Sequence, residues 1–483
     1  MRVDIFLVAI LATCCWAHDD TDHMHPVPSF ALNKVKPLRA VESAEFWRDL
    51  GQSTLSSKVG NRRLEKQAKN IIFFLGDGFS LPTVTATRIF KGQQEGSVYG
   101  GEEAQLHFET FPNLGISKTY CTDSQVADSA CSATAYLGGV KTNIGTTGVS
   151  SAVTRGVCEG QMDTANHVSS ILAWAQAAGK STGVVTTTRI TDASPSGNYG
   201  HIAERGWNDD LDVKNDGYNP DTCEDLAKQM ILNDPGKNIN VILGGGREHF
   251  LDTTNSDPEG GVGRRTDGKN LIQISDLDYN DTALSKGDPA LHEMTKVAVE
   301  ILKKNPNGFF LFVEGGRIDH AHHSTNAQRA LIEALEFEKA IKYADDVTDD
   351  TDTLITVTAD HAHVMSISGY PERGNPLLRI AEDSDVDFLP YTTLHYGNGP
   401  GYREPSKNGG DRQDLTNEDF DNIAFKQPTT LPVGSETHGG DDVAIFTKGP
   451  FAHLLTGVVE QSYIPHALAY AACIGEGPTF CKN

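Results

Sequence analysis

The chain has 483 residues, 38% of them hydrophobic and 22% charged, which suits a globular protein with a large core. Its 65 acidic residues outnumber its 41 basic ones, so the formal charge is −24, which argues against nucleic acid as a partner and against a basic membrane-binding face. An acidic chain that binds an anion must build a local positive site. Arg2 precedes the apolar run IFLVAILA, and Cys15 and Ala17 place small residues at a cleavage point, so a secretory signal peptide ending at Ala17 is expected. That run is far short of the ~20 residues of a membrane span. Continuous apolar runs then recur at 71–76, 181–188, 239–244, 309–315, 354–359 and 442–449, as strands buried on both faces read. Helical patterns lie between them, at 168–178 and 328–343. Alternating strands and helices imply βαβ units, an α/β fold and a mostly parallel sheet. The acidic stretch 345–352 reads as a solvated turn before a strand. Residues 368–433, rich in Gly, Pro, Asn and Asp, read as an inserted loop-rich lobe.

Six cysteines remain after the leader: Cys121, Cys131, Cys158, Cys223, Cys473 and Cys481. An even number in an exported chain favours disulfides. Cys473 and Cys481 are near enough to close a small loop, and the other pairings stay open. Asn280-Asp281-Thr282 is a glycosylation acceptor in a polar stretch. No other segment is suited to span a membrane. The ending turns polar at 475–483, so the expectation is a soluble secreted protein, or a form cut before a lipid-anchor tail.

In an open parallel sheet, ligands bind beyond the carboxyl ends of the strands. Asp77 follows the first run, Glu314 ends the fourth, and Asp360 and His361 follow the fifth. One such acid is usually a turn former; three strand ends carrying metal-capable side chains point to a metal site. The segment EGGRIDHAHH adds Asp319, His320, His322 and His323, and the spacing of Asp319 and His323 puts both on one helix face. His438, in a glycine-flanked loop, gains interest as a third partner to that pair. Carboxylate–imidazole sets suit zinc, and carboxylate with hydroxyl and water suits magnesium. In DSACSATAY, Ser129 stands where a small-residue helix begins, at an end ready for an anion, and is a candidate nucleophile.

The motifs FLGDG, DSACSATAY, DASPSGNYGHIAER, VEGGRIDHAHH, TADHAH and ETHGGDDVAIF, in that order, resemble the alkaline phosphatases over most of the mature chain. The resemblance implies a three-layer α/β sandwich with an inserted crown lobe at about 368–433, one catalytic domain over 18–483, and an N-terminal arm over 18–66. It implies hydrolysis of phosphate monoesters through a phosphoserine intermediate, with an alkaline optimum. Ser129 matches the nucleophile and Arg205 the phosphate-gripping arginine. Asp319, His323 and His438 match the ligands of one zinc; Asp77, Asp360 and His361, with Ser129, those of a second; Asp77, Ser194 and Glu314 those of a magnesium. Asp128, Asp192 and His320 match close neighbours of these ligands, and His363 is left without a role. A homodimer joined partly by the arm is implied.

Two departures stand out. Asp192 sits where animal members often carry His and bacterial ones Asp, which puts the magnesium site's affinity in question. Calcium is not expected: Glu259 and Asp288 could match two ligands of the site some animal members hold, but the Phe-Glu stretch between them is missing. The rival readings are a phosphodiesterase of the same superfamily and a binding glycoprotein on this scaffold.

Overall fold

Strand β1 (Asn70–Gly76) is apolar from Ile71 to Leu75 because both of its faces are covered. The computed structural model describes residues 43–60, 62–256, 260–274, 289–405 and 412–482. The expected leader, the Asn280 acceptor, Glu259 and Asp288 lie outside these residues. β1 is the fifth strand of an eight-stranded sheet with β2 (Asn113–Lys118), β3 (Ser181–Arg189), β4 (Val241–Gly245), β5 (Phe309–Gly315), β6 (Thr353–Ala359), β7 (Val443–Lys448) and β8 (Gly457–Glu460). The order is β8-β2-β7-β6-β1-β5-β3-β4. Only β7 runs against its neighbours; the other pairings are parallel.

The helices framing the sheet and the site are α1 (Ala44–Gly60), α2 (Leu81–Gln94), α3 (Ser129–Gly138), α4 (Ile171–Ala177), α5 (Leu291–Leu302), α6 (Arg317–His323), α7 (Ala327–Asp346) and α8 (Ile464–Ala472). Side chains alternate across β1, so Ile71, Phe73 and Leu75 join one core with α3, α4 and α8. Ile72 and Phe74 join the other core with α2, α5 and α7. Phe73 stacks on Tyr136 of α3 at 5.5 Å, and Phe74 meets Phe337 of α7 edge-on at 6.0 Å. The result is three layers, as expected. Each fully buried large side chain contributes about 1.5–3 kcal/mol.

Register sets the site. Gly76 is level with Gly315 of β5 and Ala359 of β6, so Asp77, Glu314 and Asp360 emerge at one edge. Residues 368–433 hold short ladders and no helix among the described residues; Leu394–Gly399 and Thr429–Pro432 form a small sheet with Met365–Ile367, just before this stretch. The acidic stretch 345–352 is not wholly a turn. Asp345 and Asp346 complete α7, and Asp345 is held by His107 Nε2 at 2.7 Å and Lys448 Nζ at 2.6 Å. The disulfides are Cys121–Cys131, Cys158–Cys223 and the expected Cys473–Cys481.

Candidate active site

Ser129 is the first residue of α3, whose cap is Asp128: its side chain accepts from Cys131 N at 3.1 Å. The Cys121–Cys131 bridge ties this end of α3 to the preceding loop. Ser129 Oγ lies 3.2 Å from His361 Nε2 and 3.5 Å from Asp77 Oδ1. Asp360 Oδ1 accepts from the N–H groups of Gly78 and His361, each at 2.9 Å. Gly78 needs to be glycine: φ is +65°, and a Cβ there would stand 2.2 Å from His363 Nε2.

One turn of α6 separates Asp319 from His323, and Asp319 Oδ1 lies 3.2 Å from His323 Nε2. His438, paired with His363 in a two-residue ladder, brings its Nε2 to 3.3 Å from the same oxygen and 3.1 Å from His323 Nε2. The Nδ1 of His438 faces the Ala127 carbonyl at 2.8 Å, and that of His323 faces the Glu436 carbonyl at 2.5 Å. A carbonyl only accepts, so both rings carry hydrogen on Nδ1 and present the Nε2 lone pair. His361 follows the same pattern more loosely, with Nδ1 3.3 Å from the Ala362 carbonyl and Nε2 3.1 Å from Asp360 Oδ2.

Glu314 is buried at the end of β5 and accepts from Thr186 Oγ1, its register partner on β3, and from Thr188 Oγ1 at 3.2 Å. Ser194 sits in the short turn Ala193–Ser196, which packs against α3, β3 and β5. Asp192 caps that turn, its Oδ1 accepting from Ala193 N at 2.9 Å. Arg205 Nη1 donates to Asp128 Oδ2 at 3.1 Å and Nη2 to Asp192 Oδ1 at 3.4 Å. The exposed His320 ring reaches within 4.0 Å of Asp192 Oδ2. Sequence reading missed Thr186 and Thr188; a Thr-Thr-Thr run at a strand end beside an acid is their only signal. It also left out His363, whose ring bridges Asp319 Oδ1 at 2.9 Å and Glu436 Oε2 at 2.6 Å.

The electrostatics are those of a site built for cations. Burial, with the charges of Asp360, Asp319 and Glu314, pushes the Asp77 carboxyl well above the usual range. Burial pushes Glu314 up to about 8 against its threonine hydrogen bonds, with Asp192 and Asp360 adding to the push. Burial also opposes ionisation of Asp319, but the hydrogen bond from His363 and the neighbouring His438 and His323 rings outweigh it and hold that carboxyl well below its usual value. His363 is opposed by burial too, yet its two carboxylate partners raise it to about 9. Asp360 Oδ2 and Ser194 Oγ are buried with no hydrogen-bond partner among the described residues. Carboxylate oxygens thus converge with the Nε2 lone pairs of His323, His361 and His438, while His363, facing a carboxylate at each nitrogen, is a donor. Asp319, His361, His363 and His438 lie close enough together to share an ion, and so do Asp77, Asp360 and His361. The donor set fits divalent metal ions, with imidazole and carboxylate for zinc and carboxylate and hydroxyl for magnesium.

The alkaline phosphatase family model matches residues 68–280 and 275–474. The chain is 43% identical to a membrane-bound alkaline phosphatase of Bombyx mori over 96% of its length and 92% of that protein's. It is 44% identical to an alkaline phosphatase of Gadus morhua (89% and 98%) and 43% identical to the tissue-nonspecific isozyme of Homo sapiens (90% and 90%). In fold it is similar to alkaline phosphatase from the Antarctic bacterium TAB5, with a TM-score of 0.57 at 22% identity over 85% of this chain and all of that one. A TAB5 variant with Mg bound in the M3 site gives 0.56 at 22% (85% and 100%), and the Thermus thermophilus enzyme 0.54 at 20% (88% and 95%). With these matches added to three strand ends that converge on one acidic and histidine-rich cluster, the chain belongs to the alkaline phosphatase family and is a metal-dependent hydrolase of phosphate monoesters.

Proposed function

We propose that turnover proceeds by two displacements at phosphorus, with Ser129 Oγ as the first nucleophile. The observation that carries this reading is the seat of Ser129: a buried hydroxyl on the first turn of α3, within 3.5 Å of Asp77 and His361, beside an arginine fork. In the first displacement Ser129 Oγ bonds phosphorus as the bond to the substrate's alcohol oxygen breaks, and the alcohol leaves protonated. In the second, water oxygen bonds phosphorus, Ser129 Oγ is released and regains its proton, and inorganic phosphate departs. Arg205 holds the phosphoryl oxygens with the N–H groups not used by Asp128 and Asp192. The helix N-terminus adds partial positive charge. This is how a chain of net charge −24 would grip an anion.

Asp319, His323 and His438 would hold one zinc ion; Asp77, Asp360 and His361, with Ser129, a second; and Asp77, Ser194 and Glu314 a magnesium ion. When bound, such ions favour the ionised form of coordinated hydroxyl groups and stabilise the attacking and leaving oxygens. To test the reading, the zinc- and magnesium-loaded enzyme is acid-quenched during turnover of p-nitrophenyl phosphate and its peptides are weighed. A phosphoryl group on Ser129 is expected; turnover with none there overturns the proposal.

Asp192 is read as a neighbour of the magnesium ligands that also braces Arg205. Asp192→His removes a negative charge near a hard cation, so the magnesium concentration for half-activation of the zinc-loaded enzyme should rise. Identical midpoints in wild type and variant count against this role.

The chain is further read as one exported, extracellular catalytic domain over 18–483, with its leader ending at Ala17, an arm over 18–66, a crown at about 368–433 and a glycan on Asn280. Helix α1 leaves Trp47, Leu50, Leu55 and Val59 exposed, which suits an arm laid on a second copy. Among the described residues, no helix is long and apolar enough to cross a membrane. Light scattering at micromolar concentration should give the mass of a homodimer; a monomer mass overturns that assignment.

A further inference from the structure

We infer that Glu436 is the positioning residue of the three-ligand site, setting the orientation of two of its ligands from outside the ligand shell. The inference rests on the reading that Asp319, His323 and His438 hold a metal ion. Glu436 is 1% exposed, unusual for a carboxylate in a loop of small and polar residues. Its burial is matched by four hydrogen bonds. The N–H donates to the His323 carbonyl at 2.9 Å, closing the chain segment onto the end of α6. The carbonyl accepts from His323 Nδ1 at 2.5 Å. Oε2 accepts from His363 Nδ1 at 2.6 Å, and Oε1 accepts from Val364 N at 2.9 Å.

These bonds divide the work. The carbonyl places hydrogen on His323 Nδ1, so the Nε2 lone pair is the one offered to the site. The carboxylate fixes the plane of His363, whose opposite nitrogen holds Asp319 Oδ1 at 2.9 Å. His363, unassigned from sequence, is therefore a spacer between two carboxylates and not a ligand of its own. Glu436 also lies two residues before His438, which pairs with His363 across the short ladder. One three-residue segment thus carries a ligand and the brace for the other two. A side chain acting here must accept two hydrogen bonds at once. Glutamine has one acceptor oxygen, and aspartate is one methylene short of spanning both partners.

The test uses the full chain with Glu436→Gln, Glu436→Asp, His363→Ala, the Glu436→Gln/His363→Ala double variant and His438→Ala. Zinc affinity is measured by competition with a chromophoric chelator, and ligand geometry by the visible spectrum of the cobalt-loaded protein. Glu436→Gln should weaken one zinc site about 10- to 100-fold and alter the cobalt spectrum, as loss of a group that orients a ligand does. In the His363→Ala background the same substitution should change affinity less than about twofold, because its path runs through that ring. Unchanged affinity and spectrum in Glu436→Gln overturn the inference, and so does an equal loss in both backgrounds. If Glu436→Gln does not fold, Glu436→Asp decides: weaker zinc binding supports the inference, and wild-type binding overturns it. His438→Ala separates this from the ligand reading. If that variant keeps full zinc stoichiometry, the ligand assignment itself falls; if it loses one zinc while Glu436→Gln loses no affinity, only the positioning role falls.

Discussion

Ser129→Ala should reduce kcat on p-nitrophenyl phosphate by about a thousandfold or more, a loss of at least about 4 kcal/mol of transition-state stabilisation. The side chain removed is one hydroxyl, so the fold should be untouched. Alanine is a better helix former than serine, and the cap of α3 is supplied by Asp128, which remains. Arg205 also stays anchored to Asp128 and Asp192, so the proposed grip on phosphate should survive. Inorganic phosphate should accordingly inhibit residual activity with little change in affinity, and the circular dichroism spectrum should match wild type. Retention of the wild-type rate, or of a phosphoryl group on the quenched peptide, would remove Ser129 from the mechanism.

The residues legible in the sequence were those whose signal is local. Asp77, Glu314, Asp360 and His361 each follow a run of buried strand, and the i, i+4 spacing of Asp319 and His323 is a helix face written directly in the chain. The family resemblance added Ser194 and Arg205, whose own sequence surroundings say little, and gave His438 a definite role. What stayed hidden depends on register and crossing. Thr186 meets Glu314 only because β3 pairs in parallel with β5 at that level. Glu436 and His363 meet across a ladder joining segments 73 residues apart. Strands β2 and β8 were missed because they are short and half-exposed, so neither carries the continuous apolar run of a central strand. The pairings of Cys121 with Cys131 and Cys158 with Cys223 followed from the fold and not from spacing.

The largest expected loss of stability lies away from the catalytic cleft, at Arg265. Its side chain is 0% exposed, and all five of its N–H groups are used. Nη1 and Nη2 grip Asp225 at 2.9 and 3.0 Å, Nε and Nη2 grip Asp267 at 3.1 and 2.7 Å, and Nη1 also reaches the His249 carbonyl at 3.2 Å. Asp225 in turn caps the helix Leu226–Leu232 through Lys228 N. Arg265→Met keeps most of the volume but leaves the wholly buried Asp225 carboxylate without its counter-charge, which should cost about 3–5 kcal/mol. Burial already raises the Asp225 carboxyl above its usual value, against the pull of Arg265. Without Arg265 it should rise further. An acid whose folded-state value is raised favours folding below its unfolded value and loses that advantage as pH climbs. The deficit of Arg265→Met should therefore grow as pH rises above about 4. Asp225→Asn in the same background removes the stranded charge and should recover part of the loss at neutral pH. Urea midpoints of the wild type and both variants at acidic and neutral pH check this. Equal midpoints for wild type and Arg265→Met at neutral pH, or a deficit that shrinks as pH rises, would show that the buried network contributes nothing of this kind.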